Sequence, residues 1–372
     1  MDSDEEWLFD SVKNYKNLFM YDLQHPVTCF DWIGDKNLAV ATSSVDKNEI
    51  IELSLPDKLV SHDELADLCK DRDFHQTNGG FSKSIICCIK HIPQSRLVCT
   101  SNEREQGIQV WQLGSMETDL VTCVNQFSTT DHSRPNQRCV DKIAVCKNKP
   151  SIVVFGSCLD HLSCLNTDVQ KVTDVTEKSE RTDNSCISEI KFLDENTLVI
   201  CIEKSGEIIL LDIRSNKSNL IRIQNCSTCN KDRNWTMDVT ENQLYRLSSA
   251  GNIVVSDIRN GENNVIKVET NKMCKENSGE ICIKASPIHK NRVSVSGFDG
   301  NICIYDTTKE LANDSTYSFT EPIFIHEGHV KNMSDQSDFV KTVAHLWHPW
   351  KQDLLMSSAT DGSLHAWEYC LL

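Results

Sequence analysis

The most restrictive feature of the chain is a strand pattern that keeps returning. Five segments, "GIQVWQL" (107–113), "GEIILLDIR" (206–214), "GNIVVSDIR" (251–259), "DGNICIYD" (299–306) and "DGSLHAWEY" (361–369), open on or beside a glycine. Each then alternates apolar residues at period two, as a half-buried strand does. Weaker copies stand at "NEIIELSL" (48–55) and "HLSCLNTD" (161–168), which makes seven. The last four recur roughly every 45 to 60 residues, the spacing of a four-stranded blade with variable loops. Ahead of them lie runs fit to be first, innermost strands: "VTCFDWI", "SIICCIKHI", "DKIAVCK", "CISEIKFL", "NWTMDV", "EICIKASP" and "KTVAHLWHP". Helical periodicity is nearly absent after residue 84. The pattern predicts an all-β protein, a seven-bladed β-propeller, with its weakest signal in the third blade (141–176).

The two ends of the sequence fit this count. "SLHAWEY" reads as the third strand of blade seven, and no strand-like stretch follows it, whereas "LFMYDL" (18–23) is a spare strand near the start. Laid along 363–369, the spare strand would close the ring and cover an exposed sheet edge. Residues 1–23 are therefore expected to form one domain with the propeller at 24–372. Before the spare strand, residues 3–18 carry a helix start, with Ser3 and Glu6 at capping-box spacing. Trp7, Leu8, Val12, Tyr15 and Leu18 then fall on one face. Such a helix either packs on the flank of the ring or presents residues such as Trp7 to a partner.

The final blade resembles a WD repeat. Gly328-His329 leads it, Trp367-Glu368 stands where the WD-repeat family has Trp-Asp, and His348-Pro349 matches the turn after the first strand. His329, Ser357 or Ser358, Asp361 and Trp367 occupy the positions of the family's structural tetrad, a hydrogen-bonded fastening inside a blade. Other blades depart, with Tyr305, Leu211 and Ser256 in place of the tryptophan. Longer stretches, among them "DRDFHQTNGGFSKSIICCIKHIP", "SGFDGNICIYD" and "AHLWHPWKQDLLMSSATDGSLHAWEY", resemble one branch of the WD-repeat family in order and spacing.

That resemblance implies a non-catalytic scaffold that assembles or stabilises a protein complex. The implied partners are the HEAT-repeat protein BRCA1-associated ATM activator and the RNA-endonuclease subunits of Integrator, acting in RNA 3'-end processing. The branch is also associated with tubulin, microtubules and spindle poles, which implies an alternative role in cell division and cytoskeletal organisation. It implies a cytoplasmic protein, also at spindle poles and in the nucleus, that is a monomer within a hetero-complex.

Composition narrows the other classes. A net charge of −16 over 372 residues disfavours direct binding to nucleic acid or anionic lipid, both of which need cation-rich surfaces. The start "MDSDEEW" is acidic where a secretory signal is basic and then apolar. No apolar run reaches the roughly 18 residues that a membrane span needs. The eighteen cysteines are scattered through apolar runs, as expected of small buried hydrophobes in a reducing compartment.

Sites of chemistry are not expected. His326 with His329, and His345 with His348, lack the context of a metal motif, and Cys226-x-x-Cys229 has no second pair. No phosphate-binding loop or nucleophile elbow is present. The reading is therefore no enzyme, no cofactor and no metal, with function on the rims. Candidate interaction residues are Arg104, Phe298 and Asp299 on turns between second and third strands, and Trp235 at a blade entrance. Phe74 and Phe81 belong to a long insertion (56–81), in which "LVSHDELADLCK" can form a short helix and Gly79-Gly80-Phe81 has no counterpart in ordinary WD repeats. The polar stretch 327–340 is expected to be flexible.

Overall fold

The computed structural model describes residues 12–60, 73–115, 117–128, 139–176, 186–214, 220–223, 234–241, 243–259, 266–270, 272, 274, 280–308, 318–331 and 340–370. Seven antiparallel sheets form a seven-bladed β-propeller. Blade 1 holds Val27–Ile33, Asn37–Ser43, Asn48–Ser54 and His75–Ser82, and blade 2 holds Ile86–Ile92, Leu97–Asn102, Ile108–Gln112 and Thr122–Phe127. Blade 3 is built from Lys142–Val145, Ile152–Gly156, Ser163–Asn166 and Lys171–Asp174, and blade 4 from Ile187–Phe192, Thr197–Ile202, Ile208–Asp212 and Leu220–Ile223. Blade 5 comprises Trp235–Thr240, Gln243–Ser248, Asn252–Asp257 and Ile266–Glu269, with Ser318–Phe319 added in parallel to its outer strand. Blade 6 contains Cys282–Ala285, Arg292–Ser296, Ile302–Asp306 and Phe324–His326. Blade 7 takes Thr342–Trp347, Leu354–Ala359 and Ser363–Tyr369, in that order from the axis.

The outer strand of blade 7 is Tyr15–Asp22, paired antiparallel with Ser363–Tyr369 from Tyr15↔Tyr369 to Asp22↔Ser363. Its side chains divide between the neighbouring blades. Tyr15 and Leu18 pack with Phe324, Trp347 and Trp367, whereas Phe19, Tyr21 and Leu23 pack with Val27, Leu53 and Phe74. Closure is thus both a hydrogen-bonded seam and a wedge between blades 6 and 1. The seam also corrects the expected helix over 3–18, because Tyr15–Leu18 is strand, where pairing with blade 7 serves the backbone groups. The remainder of that expectation, with Trp7, falls on residues outside those described.

Each interface between blades is filled by the alternating faces of the strands, so the core is a ring of apolar clusters. Among the described residues, no helix is long and apolar enough to cross a membrane.

The insertion at 56–81 resolves into parts. Asp57–Val60 is a short helix, 61–72 lie outside the described residues, and His75–Ser82 is the outer strand of blade 1. Gly79-Gly80 is explained by close approach. Gly79 N donates to Asp119 O at 3.0 Å, Val121 N donates to Gly79 O at 2.8 Å, and a Cβ on Gly80 would sit 2.1 Å from Val121 O. In the stretch 327–340, Gly328–Lys331 is a short helix that seats His329, and 332–339 lie outside the described residues. Most of the described cysteines are free and at least partly buried, while Cys139 and Cys186 form a disulfide that the sequence reading does not anticipate.

Candidate functional site

The tetrad positions of blade 7 come together as a chain of hydrogen bonds with one additional member. Trp367 Nε1 lies 3.0 Å from Ser357 Oγ, which lies 2.8 Å from His329 Nε2. His329 Nδ1 is 2.7 Å from Ser363 Oγ, and Ser363 Oγ is 2.6 Å from Asp361 Oδ1. An indole N–H can only donate and a carboxylate can only accept, so the two ends fix the direction. Trp367 donates to Ser357, Ser357 to His329 Nε2, His329 Nδ1–H to Ser363, and Ser363 to Asp361. Every group is used internally, and the His329 ring is buried and held neutral by desolvation. Ser363 is the link that sequence comparison by motif did not reveal. Blade 2 keeps a fragment of the device, with Trp111 Nε1 donating to Thr100 Oγ1 at 2.9 Å.

Two more imidazoles surround this chain. Nitrogens of His326, His329 and His365 lie within 4.8 Å of one another, closer than the spacing in the sequence suggests, because the short helix at Gly328–Lys331 brings the His329 ring into a stack on His365 and edge-on to His326. Tyr15 Oη bonds His326 Nδ1 at 2.8 Å, and His326 Nε2 bonds His365 Nδ1 at 3.2 Å. Serine hydroxyls occupy both nitrogens of His329. All four nitrogens of His326 and His329 are thus engaged within the protein, while the buried His365 Nε2 has no hydrogen-bond partner among the described residues. The cluster joins the outer strand of blade 6 to the closing strand and to blade 7.

The axial channel carries charge, and that charge is internally matched. Lys284 Nζ stands 3.5 Å from Glu189, Lys90 Nζ 3.9 Å from Asp31, and Lys191 pairs closely with Asp238. Asp31 also accepts His91 N at 2.9 Å, and Asp238 accepts Ala285 N at 2.9 Å. Burial alone would raise the carboxyl of Glu189, but Lys284, Lys191, Lys90 and Lys142 hold it below the ordinary range. Glu52, nearly fully buried between blades 1 and 2, receives Arg96 at 2.8 and 2.6 Å, Asn37 at 2.8 Å and Asn78 at 2.5 Å. A carboxylate saturated with donors is a poor proton acceptor. Burial pushes the thiols of Cys99 and Cys201 up to about 12, and lowers His345 to about 3 and His365 to about 4. None of Glu189, Glu52, Cys99, Cys201, His345 and His365 is poised near neutral pH for proton transfer or nucleophilic attack.

The rims distribute the candidate interaction residues unevenly. Arg104 is exposed on the turn of blade 2, and Phe81 is 69% exposed near the same rim. Phe298 is only 5% exposed and lies in the cluster with Val268, Cys303 and Tyr305. Gly297 and Gly300, with φ of 100° and 85°, turn the "GFDG" segment so that the ring enters the core. Trp235 is 3% exposed, its ring against Gly206, and Phe74 is 5% exposed, 5.3 Å from the Tyr21 ring. These three are core residues and cannot anchor a partner from outside. Asp299 is half-buried and paired with Lys272. Cys226 and Cys229 lie outside the described residues.

An exposed aromatic that the sequence did not single out stands on the opposite rim. Trp350 is 71% exposed at the tip of the first turn of blade 7, just after His348-Pro349. The turn itself is rigidly held. His348 Nδ1 accepts Trp350 N at 3.1 Å and Lys351 N at 2.7 Å, and His348 Nε2 donates to Asp35 O at 2.7 Å. Lys351 is clamped by Glu368 at 2.8 Å. Asp353 bridges to Arg292 and His289, both at 3.1 Å, tying in the neighbouring turn that carries exposed Ile288. A fixed backbone presenting a free indole is the arrangement that concentrates binding energy at protein interfaces.

No family model matches the chain. It is similar along nearly its whole length to proteins named "Integrator complex assembly factor WDR73". The mouse protein is 31% identical over 99% of this chain and 98% of its own length. The human protein is 30% identical over 99% and 98%, and the zebrafish protein 29% identical over 99% and 97%. Ring closure by an N-terminal strand, the tetrad of blade 7 and this end-to-end similarity together show that the chain belongs to the WDR73 family of WD-repeat proteins.

Proposed function

We propose that this chain is a non-catalytic assembly factor that holds subunits of the Integrator complex together. The observation that carries the reading is the near end-to-end similarity to relatives named for that role. The physical character of the ring supports it. Its charged and nucleophilic groups are matched or neutralised inside, while exposed aromatic and apolar residues stand at its rims. The net charge of −16 favours protein partners over nucleic acid.

On this reading the partners are the RNA-endonuclease subunits of that complex together with the HEAT-repeat protein BRCA1-associated ATM activator, met in the cytoplasm. Phe81, Arg104 and Trp350 supply the contacts. The test is affinity capture of the tagged chain from separate cytoplasmic and nuclear extracts. Co-recovery of the endonuclease subunits with the cytoplasmic pool is the expected result. Recovery of tubulin without any endonuclease subunit would refute the reading and favour the cytoskeletal role. Trp350→Ala and Phe81→Ala should each lower recovery several-fold at an unchanged melting temperature, since neither side chain supports the core.

A further inference from the structure

Three cysteines converge on the rim where blades 3 and 4 begin. Cys139, just before the first strand of blade 3, is disulfide-bonded to Cys186, just before the first strand of blade 4, with Cα atoms 6.2 Å apart and a sequence separation of 47. The bond therefore encloses every strand of blade 3. Cys158 forms an antiparallel backbone bridge with Cys186, and Ile187 N donates to Ser157 O at 2.9 Å. A hydrogen bond between residues flanking the bridge marks the non-hydrogen-bonded kind of antiparallel pair. In such pairs the Cα atoms lie about 4.5 Å apart and the two side chains share one face. Both separations fall inside the roughly 4.4–6.8 Å that a disulfide spans. Cys186 thus has two cysteines within bonding range.

The stapled blade is also a thinly hydrogen-bonded one. Its strands have 4, 5, 4 and 4 residues, against 7, 7, 7 and 8 in blade 1. A covalent link around a weak blade restricts its opened states more than its closed one. Of the three cysteines, Cys139 is half-exposed while Cys158 and Cys186 are buried, so a reagent in solution meets Cys139 first.

We propose that Cys139, Cys158 and Cys186 form a thiol-oxidation site, at which a disulfide oxidant of the glutathione class reversibly fastens blade 3. The Cys139 thiolate attacks one sulfur of oxidised glutathione and releases one glutathione thiol. The Cys186 thiolate then attacks the Cys139 sulfur of the mixed disulfide and releases the second. Two protein thiols lose two protons and two electrons, and one glutathione disulfide becomes two thiols. Exchange needs no further oxidant. The Cys158 thiolate attacks Cys186 Sγ, the bond to Cys139 breaks, and Cys139 leaves as thiolate.

The test equilibrates the full chain in glutathione buffers with a rising oxidised share, then quenches, alkylates and maps the peptides. The expected result is a linked Cys139–Cys186 peptide that grows with the oxidised share. Amide exchange in 152–156 and 163–166 should slow roughly tenfold on oxidation, while 292–296 in blade 6 stays constant. In Cys186→Ser oxidation should stop at a mixed disulfide of Cys139 with glutathione. The proposal is overturned by the absence of any linked peptide among the three at every ratio, or by equal exchange rates in the two states. It is also overturned if folded Cys186→Ser carries no glutathione on Cys139. Should that variant not fold, the titration of the unaltered chain decides alone.

Discussion

Removing residues 1–23 takes away the strand that closes the ring, and the structure allows the loss to be sized. Five side chains of that segment, Tyr15, Leu18, Phe19, Tyr21 and Leu23, are partly buried against the clusters of blades 6, 7 and 1. Full burial of such a side chain contributes about 1.5–3 kcal/mol, so half-burial of five gives on the order of 5 kcal/mol. The ladder along Ser363–Tyr369 is lost as well, at about 0.5–1.5 kcal/mol net for each hydrogen bond that water does not replace equally. Unfolding entropy of about 2.1 cal/mol/K per residue gives roughly 0.8 kcal/mol/K for a chain of 372 residues. The truncated protein should therefore melt about 6 °C or more below the full chain, followed by circular dichroism. A synthetic peptide covering 12–26, added in trans, should raise the melting temperature as its concentration rises. An unchanged melting temperature on truncation would refute the closure argument. So would a peptide without effect on a truncated ring that is otherwise folded.

Other consequences are equally direct. Ser357→Ala leaves His329 Nε2 and Trp367 Nε1 without their partner inside blade 7, and should cost about 2–4 kcal/mol in urea unfolding. Gly80→Ala drives a methyl group into the backbone at Val121 and should cost about 1–3 kcal/mol by the same measurement, although the site is an outer strand. Burial holds His365 at about 4 and His345 at about 3, below the ordinary 6.5 of the unfolded chain. The unfolded state therefore binds more protons than the folded one below pH 6.5. Stability is fully present above pH 6.5, falls as the pH drops toward 4, and levels off below the folded values. Urea midpoints that do not change between pH 7 and pH 5 would contradict the burial of these neutral rings.

Much of the ring is legible because third strands are buried on both faces, which leaves a short, largely apolar run after a glycine turn. "GNIVVSDIR" and "DGSLHAWEY" show it plainly. The missing partner of the last strand was legible by counting. Outer strands were not, since a half-exposed strand such as Thr122–Phe127 carries little alternation. Nor was Ser318–Phe319, two residues that the parallel pairing alone makes a strand. The direction of turn side chains is hidden in the sequence for a related reason. Phe298 stands between polar residues and glycines, which looks like an exposed tip, but two left-handed glycines direct it inward. Trp350 follows His-Pro in the sequence, and only the surrounding hydrogen bonds show that its turn is held rigid while the indole projects. Ser363 has the sequence context of an ordinary strand residue, and only the fold places its hydroxyl between His329 and Asp361.

The closing strand also sets the order of events during synthesis. Asn17 and Glu368, bonded across the seam, are 351 residues apart. At roughly 5 to 20 residues per second, the first strand leaves the ribosome tens of seconds before its partner exists. Through that interval the growing ring has an open edge and a loose amphipathic strand, the species on which chaperones act. Completion of the ring therefore waits on the synthesis of Ser363–Tyr369, and the open edge persists until that strand has emerged.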